Sequence, residues 1–184
     1  FGRNTWQSGQ FEMLVDIQQH GLDYELREAK SPVAGCRIRV DLYEELLPSV
    51  LQETSYNLRK WCKYALVPVY LNDELISVDP ATEKWDHVLP EAYIRLRAGS
   101  DLAVYNLGIF VMDLPGQRYG SGGVVVSREQ LKVNFARNDI QSDCRVWRKA
   151  RPLLEAMIEK RNMSRTTLDE DARTRMAQDI LTGK

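Results

Sequence analysis

The densest set of groups able to handle an anion lies in the run Gly123-Val124-Val125-Val126-Ser127-Arg128-Glu129-Gln130-Leu131-Lys132-Val133-Asn134-Phe135-Ala136-Arg137-Asn138-Asp139-Ile140-Gln141. A guanidinium stays protonated and offers its donors in one plane, so Arg137 suits two oxygens of a phosphate. Gln141 stands four residues on and, if the stretch is helical, shares a face with Arg137, where its amide holds the same phosphate or a water. Asn134 is placed to fix the loop by bonding its backbone. Without context, an Arg four residues before a Gln is an ordinary solvated pair, so the flanking pattern has to carry any catalytic assignment.

Other chemistries find less support. His20 and His87 share no metal-ligand spacing with the cysteines. Cys36, Cys62 and Cys144 are an odd, scattered set that reads as free, mostly buried thiols rather than a disulfide framework. Two isolated histidines assemble no serine, histidine and acid arrangement. The glycine-rich Gly116-Gln117-Arg118-Tyr119-Gly120-Ser121-Gly122-Gly123 leads into the strand-like Val124-Val125-Val126 and reads as a surface loop. A phosphate-cradling loop would instead open a helix and end in Lys-Ser or Lys-Thr. Arg145, Arg148, Lys149 and Arg151 surround Trp147 and read as a solvated helix face with a buried tryptophan. Glu44-Glu45 and Asp169-Glu170 read as charges at helix starts.

The elements that must position these residues are legible from periodicity. Phe11 to Ile17, then Leu22, Tyr24 and Leu26, and then Ile38, Val40 and Leu42 alternate with polar neighbours, predicting an antiparallel meander over 1–44 broken at Ser31-Pro32. Pro48 opens a helix whose Val50, Leu51, Leu58, Trp61, Cys62 and Ala65 fall near one face through about Tyr64. Asn72-Asp73 separates two short apolar runs as a tight hairpin turn. Tyr93 to Arg97, Leu102 to Leu107 and Ile109 to Met112 have strand character. Ser142 is a plausible cap for a helix carrying Val146, Trp147 and Ala150, which Pro152 bends or restarts before Leu153, Leu154, Met157 and Ile158. Thr167 with Glu170 makes a capping box for a last helix of Leu168, Ala172, Met176 and Ile180, closed at Gly183. The fold class expected is α+β: a strand meander, a long helix, and a sheet domain with C-terminal helices.

Composition sets the outer bounds. The chain has 184 residues, 43% hydrophobic and 28% charged, enough for a buried core and far from disordered or fibrous classes. A formal net charge of −1 gives no global attraction to nucleic acid or to an anionic surface. The longest mostly apolar run, Tyr64 to Leu71, is interrupted by Pro68 and is far short of the ~20 residues of a bilayer-spanning helix. No membrane partner is expected. The start at Phe1 shows no secretory leader, and the expected location is cytoplasmic.

The run from Gly123 resembles a loop of the ninety-kilodalton heat-shock chaperones, of pattern Gly-Val-Val-Asp-(Ser)-x-Asp-Leu-x-Leu-Asn-x-Ser-Arg-Glu-x-Leu-Gln, with Asn134, Arg137, Ile140 and Gln141 at matching spacing. Leu102 to Asp113 is similar to the family's Leu-x-Val-x-x-Val-Phe-Ile-x-Asp strand pair. Gly35 to Leu42 resembles the Gly-Thr-x-Ile-x-Leu-x-Leu strand closing its nucleotide-binding domain, with Cys36 in the threonine's place. Leu58 to Leu71 resembles the helix and Pro-containing strand that open its middle domain, and the helix with Trp147 and Leu154 is similar to the one after its loop. The resemblance covers about residues 35–160.

It implies part of an ATPase of the gyrase, chaperone, histidine-kinase and mismatch-repair superfamily. Residues 1–44 would be the last strands of a nucleotide-binding domain, 45–162 a ribosomal-protein-like transducer domain, and 163–184 a C-terminal helix. Arg137 and Gln141 would act on the terminal phosphate of ATP, and Asn134 and Gly35 would lie at the nucleotide. ATP and magnesium would be held mainly by a preceding nucleotide-binding domain. The chain is read as lacking that half's Glu-x-x-x-Asn helix and Asp-x-Gly-x-Gly loop. A homodimer and a protein client are compatible with the resemblance, and nucleic acid is not expected. The alternatives are a mismatch-repair or topoisomerase-type transducer, in which Lys132 would serve, and a non-enzymatic nucleic-acid or protein interaction module using the Trp147 helix.

Overall fold

The computed structural model describes residues 2–97, 101–115 and 121–165, with side chains through 161. It is mixed α+β, with antiparallel pairing in each sheet and few helices. Two compact units divide it, Phe1–Glu53 and Thr54–Lys184.

In the first unit, β1 (Gly2–Val15) and β2 (Tyr24–Leu42) form a two-stranded antiparallel ribbon, joined through the short helix α1 (Ile17–His20). The predicted three-stranded meander is therefore corrected: its second and third strands are one strand, paired with β1 on both sides of Ser31-Pro32. Ser31-Pro32 makes a bulge instead of a break. The register jumps from Gly9 opposite Val33 to Phe11 opposite Glu28, so Pro32 falls where no ladder donor is needed. The Ser31 carbonyl accepts a bond from Gln7 Nε2 at 2.7 Å. Strand alternation then sorts the faces: Trp6 opposite Ile38, Met13 opposite Leu26 and Val15 opposite Tyr24 are apolar pairs, whereas Thr5 opposite Arg39 and Glu12 opposite Arg27 are polar.

Asp16 ties this unit together. Its buried carboxylate accepts from Arg3 Nε at 2.8 Å, from the Tyr43 hydroxyl at 2.8 Å and from the Gln19 amide at 3.1 Å. One side chain thus caps α1 and joins the start of β1 to the residue after β2. The bonds from Arg3 and Tyr43 hold its carboxyl down at about 2.

The division between the units falls within α2 (Pro48–Trp61), whose Pro48 sits in the first turn as expected. Of its predicted apolar face, Val50, Leu51 and Trp61 stay exposed, and full burial starts only beyond the helix, at Tyr64 and Ala65.

In the second unit, β3 (Tyr70–Leu71) and β4 (Glu74–Leu75) close over Asn72 and Asp73, both left-handed at φ 50° and 63°, the geometry such a two-residue turn requires. A 3-10 turn, Pro80–Thr82, follows. The main sheet contains β5 (His87–Val88), β6 (Ala92–Arg97), β7 (Asp101–Asn106), β8 (Ile109–Pro115) and β9 (Gly122–Ser127), in the order β5-β6-β9-β7-β8. The last strand is the middle one, antiparallel to β6 and parallel to β7.

Helix α3 (Arg145–Arg165) covers one face of this sheet: Val146, Ala150, Leu154 and Ile158, spaced one turn apart, meet Ile94, Leu102, Val104 and Val125. Of the two outcomes expected at Pro152, the restart is corrected: α3 runs on as one helix that contains an exposed Pro152. Its start also differs: the carbonyl accepting from Arg148 N–H at 2.9 Å is that of Cys144, not Ser142. The opposite face carries Tyr64, Tyr105 and Val126, with Trp85, Tyr93 and Phe110 packed around them. Tyr64 lies edge-on to Tyr105 at 5.0 Å between centroids. The predicted final helix over 163–184 lies largely outside the described residues, although α3 itself reaches Arg165. The thiols are corrected as well, because Cys144 is buried, Cys62 intermediate and Cys36 exposed.

The β7–β8 turn is pressed against the backbone beyond α2. Gly108 has φ 88°, and a Cβ there would stand 1.7 Å from the Tyr64 carbonyl oxygen. Gly35 also has positive φ, at 80°, with nothing within 4 Å of an added Cβ. Gly108→Ala is therefore expected to cost about 3 kcal/mol or more in denaturant unfolding and Gly35→Ala about 1 kcal/mol. The Asp16 knot sets a pH dependence. Its folded pKa lies below the usual 3.8, so its stabilisation is complete above that value and fades as pH falls toward about 2. Acid titration of the β1 and β2 amide signals should show this loss, and Asp16→Asn should flatten it.

Candidate functional site

The loop from Arg128 to Cys144 connects the central strand β9 to α3, and it is anchored before it reaches its functional residues. Ser127 Oγ accepts from the Leu107 amide at 3.0 Å. The Asn106 side chain then grips Leu131: its Oδ1 accepts from the Leu131 N–H at 2.8 Å and its Nδ2 donates to the Leu131 carbonyl at 3.3 Å. Leu131 itself is buried in the sheet core.

Beyond Leu131 the chain doubles back. Val133 bridges Ile140 in antiparallel fashion, the Gln141 N–H donates to the Lys132 carbonyl at 2.9 Å, and the Asn134 N–H donates to the Asp139 carbonyl at 2.9 Å. The Arg137 N–H donates to the Asn134 carbonyl at 3.0 Å, closing a turn in which Arg137 has φ 56°. A left-handed conformation at a non-glycine residue costs on the order of 1–2 kcal/mol, which the surrounding bonds must offset.

The expectation that Arg137 and Gln141 share a helix face is corrected by this geometry. The stretch is a bridged loop because the Asn134 side chain competes for the backbone donors a helix would use. Its Oδ1 accepts from the Asn138 N–H at 3.1 Å and its Nδ2 donates to Asn138 Oδ1 at 2.8 Å. Gln141 turns inward, donating from Nε2 to the Val133 carbonyl at 3.0 Å. Its amide braces the base of the loop.

Cys144 joins the loop to the helix, with its Sγ accepting from the Lys132 N–H at 3.2 Å and its own N–H donating to the Gln141 carbonyl at 2.9 Å. The Lys132 ammonium pairs with the Asp143 carboxylate, which that contact holds below its ordinary pKa. The Arg137 side chain is exposed, and no hydrogen bond or ion pair occupies its guanidinium among the described residues. Phe135, two residues before it, is fully exposed. Arg137, Asn134 and Phe135 rim an open groove of about 610 Å³ whose other wall is the β7–β8 turn, with Leu107, Ile109 and Phe110.

The structure thus gathers Asn134, Arg137 and Gln141 into one loop of the second unit. Gly35 belongs to β2 of the first unit. Sequence reasoning missed Asn106 and Asn138. Asn138 follows the singled-out arginine directly, while Asn106 carries no motif beyond standing at the head of a Leu-Gly turn. Trp147 is partly buried against the sheet core, and two of its basic neighbours are engaged: Arg148 Nε with the Ser142 carbonyl at 2.9 Å, and Arg151 Nε with Glu155 at 2.8 Å. The reading that the chain lacks a Glu-x-x-x-Asn spacing is corrected by Glu53 and Asn57, which stand at that spacing on α2. No Asp-x-Gly-x-Gly sequence accompanies them. Among the described residues no group of three or more His, Cys, Asp or Glu side chains is arranged to hold a metal, and no helix is long and apolar enough to cross a membrane.

An exposed cation on a braced loop, beside polar amides and an apolar groove, is equipped to meet an anionic group brought from outside the loop. No protein-family model matches the chain, and no curated protein sequence matches it.

Asn106→Ala removes both bonds that hold the Leu131 peptide and leaves them without a replacement, so it should cost about 2 kcal/mol. Hydrogen exchange should locate the loss, with faster exchange at Leu131 while the β6 amides stay protected.

Proposed function

We propose that this chain is the transducing part of a chaperone-like ATPase, and that its second unit, the counterpart of a ribosomal-protein-like middle domain, donates Arg137 to the terminal phosphate of ATP held by a nucleotide-binding domain. The observation that carries this reading is the exposed Arg137 guanidinium, engaged by no carboxylate among the described residues, on a loop braced at both ends. Phosphoryl transfer spreads negative charge over the terminal oxygens, and a planar cation meets two of them while staying protonated. A residue supplied from a second domain makes hydrolysis conditional on closure between domains. The loop's bonds lower the cost of that event, because the backbone that presents the cation is already ordered.

Gln141 and Asn134 support Arg137 in this reading by holding the loop. Magnesium and the adenine would be held by the nucleotide-binding domain. The lysine-based variant of a mismatch-repair or topoisomerase-type transducer is less well supported, because the Lys132 ammonium is turned to Asp143.

In the full-length protein, Arg137→Ala should lower the ATP turnover rate by about 3 orders of magnitude while leaving nucleotide affinity nearly unchanged. Arg137→Lys should restore little, since one ammonium cannot bridge two oxygens in a plane. Steady-state turnover alongside calorimetric nucleotide binding separates the two effects, and unchanged turnover in Arg137→Ala would end this assignment.

A further inference from the structure

We infer that Asn138 is a positioning residue for Arg137: its side-chain amide, locked to that of Asn134, holds the Arg137 backbone in its left-handed conformation and so fixes where the guanidinium is presented. The inference rests on the reading of Arg137 as the donated cation, and it concerns a residue that the resemblance does not single out, since the family pattern has a glutamate in this place.

The geometry is a closed ring of bonds around three residues. Asn134 reaches across Phe135, Ala136 and Arg137 to Asn138 in both directions, donating from Nδ2 at 2.8 Å and accepting from the Asn138 N–H at 3.1 Å. The Asn134 carbonyl takes the Arg137 N–H at 3.0 Å inside that ring. Arg137 is the residue of this loop with positive φ, at 56°. An arginine has no intrinsic preference for that region, so something outside its own side chain must hold it there. The bonds to Asn134 are the contacts that flank it on both sides. The Asn138 Oδ1 is the half of the ring that a substitution can remove without touching any backbone bond. Without it, the Asn134 amide keeps its acceptor role but loses the anchor for its donor, so one bond in place of two holds the Asn134 side-chain plane.

Two measurements test this, the first of them independent of the ATPase reading. On the 184-residue chain, nuclear magnetic resonance reports the sign of φ at residue 137 through the intraresidue contact between its amide and α protons, which is strong in the left-handed region. The contact should be strong in the unaltered chain and in Asn138→Asp, which keeps an oxygen for Asn134 Nδ2, and should weaken to an averaged value in Asn138→Leu. If leucine disturbs the sheet, seen as shifts of the β9 amides, Asn138→Ala removes the same acceptor without added bulk. A strong contact retained after loss of the acceptor would overturn the inference.

In the full-length protein, Asn138→Leu should lower kcat on the order of 10- to 100-fold with KM for ATP unchanged. The double variant Arg137→Ala with Asn138→Leu should be no slower than Arg137→Ala alone, because Asn138 acts through Arg137. Additive losses in that cycle would also overturn the inference. If Arg137→Ala leaves turnover intact, the ATPase reading falls while the magnetic resonance result still decides whether Asn138 sets the Arg137 backbone.

Discussion

The grip of the Asn106 side chain on the Leu131 peptide is the interaction on which the candidate site depends. It joins the end of β7 to the loop that leaves β9, using both the donor and the acceptor of one amide. Parallel neighbours such as β7 and β9 end on the same side of a sheet, so their exits are close enough for a short side chain to span. Everything beyond Leu131 inherits its position: the Val133 bridge to Ile140, the turn at Arg137, and the Cys144 carbonyl that starts α3. Leu131 adds an apolar anchor under the same point, so the loop leaves the core already oriented.

Local chemistry made much of the second unit legible. The Asn72-Asp73 turn, the strands around Tyr93 to Arg97 and Leu102 to Met112, and the stripe ending in Leu154 and Ile158 all follow from short-range rules about turns and periodicity. Val124 to Val126 read as a strand from the glycines before them and the absence of any helix start. The position of that strand was not legible, because pairing partners are set by contacts distant in sequence. The same limitation explains the ribbon. Ser31-Pro32 is a strong punctuation signal, and only pairing with one continuous partner strand on both sides of it turns it from a break into a bulge.

The candidate loop was legible in its residues and not in its shape. Arg137 stood out through its chemistry and spacing, but an interval of four residues is helical only when the backbone donors are free to pair along the helix. Asn134 and Asp139 supply competing partners, and the chain closes on itself instead. Gln141 thereby moves from a candidate phosphate contact to a brace on the Val133 carbonyl. Asn106 was invisible for a different reason, since its importance comes from a residue 25 positions away.

The central place of β9 also governs the order in which the second unit can be built. β7 and β8 pair as a hairpin from neighbouring sequence, whereas β6 shares no ladder with β7 and waits for β9 to bridge them. In chain order, β6 and the β7–β8 hairpin are both complete before Gly122–Ser127, the strand that lies between them in the sheet, has been synthesised. Parallel pairing across a long connection is slow to form because loop-closure entropy is lost before the contacts reward it. Until β9 docks, Ile94 and Val104 keep part of their apolar surface wet, and the nascent unit has open edges of the kind that chaperones and aggregation partners recognise. Because the loop with Arg137 hangs directly from β9, completion of the sheet and assembly of the candidate site are one event.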